Sequence, residues 1–358
     1  MLIVHDFAYD YGGAERVTAA LARAFPEARV LAVGARASVL ARMQIEDRTT
    51  TVLPLDRLRT GYRYLSPVLP RLVARTVDDA VLSSSYAFAH HVRSTRVHIE
   101  YCHSPLRQLW VAEEQYRDTL GSAMRFGMAL FDGYLRRADR RAVANVDTIV
   151  ASCENVRRRV RAVYDRDATI VYPPVSLGAF YAEAVPRERD LVMLVARLVE
   201  PYKQVAAVLD LFADLPYRLV VAGDGRDATR LHARAPANVT FVGHVGDDDL
   251  RALYSRASVV VFPSEDDFGI VPIEAMACGT PVVALDLGGA RETVVHDVTG
   301  LRYPHGGLRE ALIAAMERGW DHNLIRSHAV KFGDERFVDQ MQTLVADALA
   351  AGRRRLPS

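Results

Sequence analysis

Residues 258–286 read SVVVFPSEDDFGIVPIEAMACGTPVVALD, and this stretch decides the fold. Val259 to Phe262 is a short β-branched run of the kind buried on both faces of a parallel sheet. Pro263 and Ser264 stop it, and the acidic loop Glu265-Asp266-Asp267-Phe268-Gly269 follows. Pro272 falls where a first helical turn accepts proline, Ile273 to Ala277 favour helix, and Gly279 suits the C-terminal cap. Pro281 to Leu285 is a second buried run. The order is strand, loop, helix, strand, with a glycine where loop meets helix. Such a junction turns the N–H groups of Gly269, Ile270 and Val271, and the positive end of a helix dipole, toward an anion. A diphosphate would suit it. Glu274, near the helix start, offers a carboxylate to which two ribose hydroxyls can donate.

The same alternation extends outward in both directions. Buried runs recur at Leu191–Ala196, Tyr217–Ala222 and Val239–Val242, and earlier at Leu2–Val4, Arg29–Gly34, Ala80–Ser85, Val97–Tyr101 and Thr148–Ala151. Two α/β alternations in tandem predict two Rossmann-like, doubly wound domains facing a central cleft. The expected division is 1–174, 175–336, and a C-terminal helix over 337–358 packing back toward the first domain. Gly178 and Pro186 mark the linker. A chain of 358 residues suits two cores rather than one. Pro54, Pro67 and Pro70 interrupt any long element over 49–75. A helix is expected over 116–145, ending in Arg136, Arg137, Arg140 and Arg141. That basic, apolar-backed surface fits either a solvated helix face or peripheral contact with anionic lipid at the cytoplasmic face of a membrane. Arg353 to Arg355 reads as a frayed basic end.

Composition narrows the function. A formal net charge of +1 gives no field that would draw the chain to nucleic acid. Cys102, Cys153 and Cys278 lie far apart beside apolar runs, and read as buried, reduced thiols of a reducing, cytoplasmic compartment. Asp6 interrupts the first apolar run too early for a signal peptide, and no run is long enough to span a membrane. Glu265, Asp266 and Asp267 form one row without histidine or cysteine companions, so no metal and no cofactor are expected.

Further residues fit an anionic ligand. Arg197, delivered beyond the strand Leu191–Ala196, and Lys203, at the next helix start, can bring two cations to one diphosphate. The turn Gly12-Gly13 follows the opening strand. It is not a G-x-G-x-x-G fingerprint, and serves equally well as a bare tight turn or as a close approach to a ligand. His103 follows a strand end, where open α/β sheets bind ligands, although a lone histidine is more often a structural hydrogen-bonder. Gly288-Gly289 is another glycine turn into a helix, with or without a ligand.

The stretch 258–286 also resembles the donor-binding signature of retaining glycosyltransferases of family 4, which have the GT-B fold. That signature sets two glutamates, with seven residues between them, around Phe-Gly, then an Ala-Met-Ala helix and a Gly-x-Pro-Val-Val strand. Glu274 is the second acid. Asp266 stands where the family has its first glutamate, and the neighbouring Glu265 is the other candidate. The resemblance implies metal-independent transfer of a sugar from a nucleotide-diphosphate donor to an acceptor hydroxyl. Arg197 and Lys203 would hold the leaving diphosphate, with Gly12, Gly13 and the Phe268–Val271 junction around the donor. The nucleobase would lie near Gly243 and His244, and His103 near the transferred sugar. Tyr101-Cys102-His103-Ser104-Pro105-Leu106-Arg107 resembles bacterial mannosyltransferases that use GDP-mannose. This implies a glycan or polyprenyl-linked acceptor and a role in polysaccharide or glycolipid synthesis. A UDP-sugar-dependent transferase acting on a small acceptor is the alternative. Of other classes, a nucleotide-sugar epimerase would need acid/base residues flanking the sugar. A two-domain sugar-binding protein would need no paired cations, and a nicotinamide dehydrogenase would need the missing glycine fingerprint.

Overall fold

A computed structural model describes residues 1–53, 68–111 and 122–353, without the side chains of 122–130 and 353. Pro54, Pro67, residues 116–121, Arg354 and Arg355 lie outside the described residues. Chain contacts divide the protein into a first unit, Met1–Pro174 with Glu335–Ser358, and a second, Val175–Asp334.

The first unit carries β1 (Leu2–Ala8), β2 (Arg29–Ala35), β3 (Thr49–Thr51), β4 (Thr76–Val77), β5 (Val81–Ser85), β6 (Arg93–Ser94), β7 (His98–Cys102), β8 (Thr148–Ala151) and β9 (Thr169–Ile170). Seven of them form one sheet in the order β3-β2-β1-β5-β7-β8-β9, and β4 pairs with β6. The second unit carries β10 (Glu188–Val195), β11 (Arg218–Ala222), β12 (Val239–Gly243), β13 (Ala257–Phe262), β14 (Val282–Leu285) and β15 (Gly300–Tyr303), in the order β12-β11-β10-β13-β14-β15. The main-sheet pairings are parallel. Parallel strands need crossovers over the sheet, so both faces are covered. All seven residues of β1 are accordingly buried. In each sheet the winding reverses beside the first strand: between β1 and β5, and between β10 and β13. Crossovers leave for opposite faces there, and a crevice opens beyond the carboxyl ends of the two strands.

On one face of the first sheet Ile3, Leu21, Leu82, Ile99 and Tyr101 pack together, and on the other Val4, Phe7, Leu31, Val81 and Leu109. The second unit has an apolar core around Val192, Val208, Phe212, Val261 and Val283. The helix Asp334–Arg353 belongs to the first unit. Phe337, Met341 and Val345 recur every four residues, which puts them on one helix face, and all three join that unit's core. The Phe337 ring meets Tyr101 edge-on, with centroids 5.8 Å apart. The three cysteines form no disulfide and are buried. No described helix is long and apolar enough to cross a membrane. Phe337→Ala should cost about 3–5 kcal/mol, as truncating a buried aromatic does. A lowered denaturant midpoint, read by hydrogen exchange in β1 and β7, checks it.

Candidate active site

In the second unit the switch point falls where the sequence places its motifs. The loop after β10 holds Arg197 and Lys203, and the loop after the adjacent β13 holds Glu265 to Gly269. Lys203 reaches across to Asp266: its Nζ lies 2.6 Å from both carboxylate oxygens. The pair is mostly buried, with side chains 15% and 22% exposed. Arg197 is exposed, with no side-chain hydrogen bond or ion pair among the described residues. The two cations therefore differ, one neutralised locally and the other not.

Glycines shape this crevice by close approach. A Cβ at Gly223 would collide with the carbonyl oxygen of Ala196, and one at Gly225 with that of Leu198. The Gly-Asp-Gly turn after β11 thus packs against the backbone that carries Arg197. Gly288 and Gly289, left open above between a ligand turn and a bare one, press on the backbone of Asp266 and Phe268, and Gly289 N–H donates to Asp266 O at 3.0 Å. They support the acidic loop. Gly269 sits at φ 84°, just before the helix Ile270–Ala277, a left-handed conformation that favours glycine. Ile270 and Val271 open that helix, half-buried.

Three of the expected donor-site residues have partners within the protein. Phe268 is buried, its ring 5.7 Å from Phe332, so it anchors the loop. Glu274 is only 3% exposed, and its Oε2 accepts from Tyr254 Oη at 3.1 Å; protein already meets part of the capacity expected for ribose. The Gly12 N–H donates to Glu15 Oε2 at 2.8 Å, as a capping box at the start of the helix Gly13–Ala24. Gly13 remains exposed, as do Glu265 and His244; Gly243 is half-buried at φ 69° with nothing near its Cβ position.

In the first unit the switch point is polar and buried. Ser83, Ser84 and Ser85 of β5 each meet a different histidine: His98 Nε2 at 2.9 Å, His103 Nε2 at 2.8 Å and His90 Nδ1 at 2.8 Å. His103 is half-buried. Burial and the neighbouring His5 push it down to about 3, so its ring is neutral. Asp6, fully buried in β1, accepts from the backbone N–H groups of Tyr86, Ala87, Phe88 and Ala89 at 2.6–2.8 Å. Most buried polar groups are partnered in this way. His90 Nε2 lies 3.0 Å from Asp139 Oδ1, and Asp139 Oδ2 also accepts from Trp110 and Tyr164. Burial alone would lower the His90 pKa, but Glu100 and Asp139 overcome it and hold the imidazolium at about 9. Burial pushes Glu100 up to about 7, against the pull of His90. One ligand atom each from His90, His91 and Asp139 lie within 4.8 Å of one another. Both nitrogens of His90 are engaged, by Ser85 and Asp139, so His90 could ligate a cation only by giving up one of those bonds, whereas His91 Nε2 has no hydrogen bond. Of the arginines closing the helix Ser122–Val143, Arg136 and Arg140 stack on Trp110; Arg136 is half-buried, and Arg137, Arg140 and Arg141 are exposed.

Residues 189–322 match the family model described as Glycosyl transferases group 1. The D-inositol 3-phosphate glycosyltransferase of Mycolicibacterium paratuberculosis is 31% identical over 186 residues, covering 45% of this chain and 42% of that protein. The Mycobacterium avium protein of the same name is also 31% identical over 186 residues, covering 45% of this chain and 44% of that protein. The chain thus matches less than half the length of these curated relatives. Among solved structures, Anabaena HepE in complex with UDP aligns at a TM-score of 0.71 and 17% identity, covering 97% of this chain and 99% of that one. Sucrose-phosphate synthase from Thermosynechococcus elongatus aligns at 0.69 and 19% identity, covering 98% and 100%. The two doubly wound parallel sheets are those of the GT-B fold.

The buried polar system of the first unit was not singled out from the sequence, apart from His103. Its signal is His5-Asp6, Ser83-Ser84-Ser85 and His98-Ile99-Glu100, polar residues inside runs that a parallel sheet buries on both faces. The pH dependence follows from the shifts. His90 is raised from 6.5 to about 9, so its contribution is full below pH 6.5 and lost as pH rises through 9. Glu100 is raised from 4.5 to about 7, so its carboxyl favours the folded state below pH 4.5 and loses that advantage as pH rises through 7. Both losses have the same sign. Thermal melts should show Glu100→Gln flattening the decline between pH 4.5 and 7, and His90→Gln flattening the decline between 6.5 and 9.

Proposed function

We propose that the protein is a retaining glycosyltransferase of family 4 that moves a hexose from a nucleotide-diphosphate sugar to an acceptor hydroxyl. The observation that carries the proposal is the β10/β13 switch point. Arg197 and a lysine fixed by an aspartate lie in the loop after β10, and the helix Ile270–Ala277 starts from the loop after β13, inside the segment 189–322 that matches the glycosyl transferases group 1 model. A departing diphosphate gains charge in the transition state, and preorganised cations and N–H groups stabilise that charge most. In this reading Arg197 supplies the uncompensated charge. Asp266 holds Lys203 so that its ammonium can serve a phosphate oxygen without reorganising, and the N–H groups of Ile270 and Val271 complete the cradle. His103, a neutral imidazole, meets a sugar hydroxyl.

GDP-mannose is the donor favoured by the resemblance of residues 101–107, with a glycan or polyprenyl-linked saccharide as acceptor. UDP sugars are the second reading, favoured by the HepE complexes with UDP and with UDP-glucose. Arg137 and Arg141 remain to contact anionic lipid around a lipid-linked acceptor.

Two experiments test this. Arg197→Ala should lower turnover about a hundredfold or more and leave the melting temperature unchanged. Lys203→Ala should lower both, because Asp266 then loses its cation. Near-normal turnover in both variants removes the leaving-group assignment. In thermal-shift titrations, the true donor at a hundred times its Kd should stabilise the fold by about 2.7 kcal/mol. A response to UDP sugars alone would reverse the choice of base.

A further inference from the structure

A continuous hydrogen-bonded chain runs beneath His103, and counting its protons fixes the ring. Thr18 Oγ1, in the helix Gly13–Ala24, has three partners: Ala14 O at 3.0 Å, His5 Nδ1 at 2.9 Å and Ser84 Oγ at 2.9 Å. A hydroxyl carries one proton and two lone pairs. Ala14 O can only accept, so all three contacts are hydrogen bonds at once only if the Thr18 proton goes there. His5 Nδ1 and Ser84 must then both donate to the Thr18 oxygen. With its proton so engaged, Ser84 has only a lone pair for His103 Nε2, 2.8 Å away. His103 must donate from Nε2, and its neutral ring leaves Nδ1 bare. Nδ1 has no hydrogen bond among the described residues. Behind the chain, His5 Nε2 faces Glu15 Oε1 at 3.5 Å, and the other oxygen of Glu15 holds the Gly12 N–H.

We infer that Thr18 and Ser84 are positioning residues: they lock His103 in the Nε2–H tautomer, so that Nδ1 is offered as a hydrogen-bond acceptor to a substrate hydroxyl. The role toward substrate rests on the reading of His103 as a sugar contact; the tautomer does not. An acceptor nitrogen orients a hydroxyl by its proton and leaves the oxygen lone pairs outward. The opposite tautomer would donate to that oxygen instead.

The test is ring nitrogen spectroscopy on the full chain labelled with 15N-histidine, with the His103 signals identified by their loss in His103→Gln. The unmodified protein should show a protonated Nε2 and a bare Nδ1. Thr18→Val removes the acceptor for Ser84, whose proton then turns to His103, and the ring should change to Nδ1–H. Thr18→Ser should restore the original tautomer. In step with the tautomer, Thr18→Val should lower kcat for nucleoside diphosphate release from UDP-glucose or GDP-mannose about tenfold, roughly one hydrogen bond, with KM little changed. A ring protonated at Nδ1 in the unmodified protein, or a tautomer indifferent to Thr18→Val, overturns the assignment. Full turnover in His103→Gln alongside the expected tautomers would instead overturn the sugar contact.

Discussion

A parallel pair of strands cannot be joined by a tight turn; each connection must climb over one face of the sheet. From β1, and again from β10, successive crossovers leave for opposite faces. That geometric requirement clears a crevice at the ends of β1 and β5 and another at the ends of β10 and β13. The residues of chemical interest gather at those two places. Lys203 and Asp266 meet because their strands are neighbours in the sheet, although 63 residues separate them in the chain.

The two crevices use different physics. In the second unit the strands beneath are apolar, and the polar groups stand at the rim, where glycines let backbone segments approach closely. In the first unit polarity runs into the sheet itself. Asp6 gathers four backbone N–H groups, His90 stays charged between acids, and three serines each hold a histidine. Removing one member there would strand a buried partner, which is costlier than losing the same bond at a surface. The first unit's site is accordingly stiff and demanding of its sequence, and the second unit's more adaptable.

Much of this architecture is legible in the chain. The β-branched runs, the glycine junction at 269 and the helix face of Phe337, Met341 and Val345 each carry a local signal with one structural solution. The placement of Arg197 and Lys203 beyond a strand end is legible for the same reason. The partners are not. Nothing local distinguishes a lysine that meets a phosphate from one already bound to Asp266. Gly288 looks like a ligand turn until the loop it supports is in place. Phe268 lies inside a motif yet is held by Phe332, 64 residues later in the chain and chosen by packing. The serine–histidine pairs of β5 are legible only once burial is known, because serine and histidine are ordinary at a surface and demanding only inside.

The second unit runs from Val175 to Asp334, and Val175 bridges Gly333 beside its far end. The second unit is thus one unbroken segment, whereas the first is completed only by Phe337, Met341 and Val345, made after all of it. The first unit's core therefore joins segments that the whole second unit separates in the chain, and without Phe337, Met341 and Val345 it would keep an apolar groove beside Tyr101.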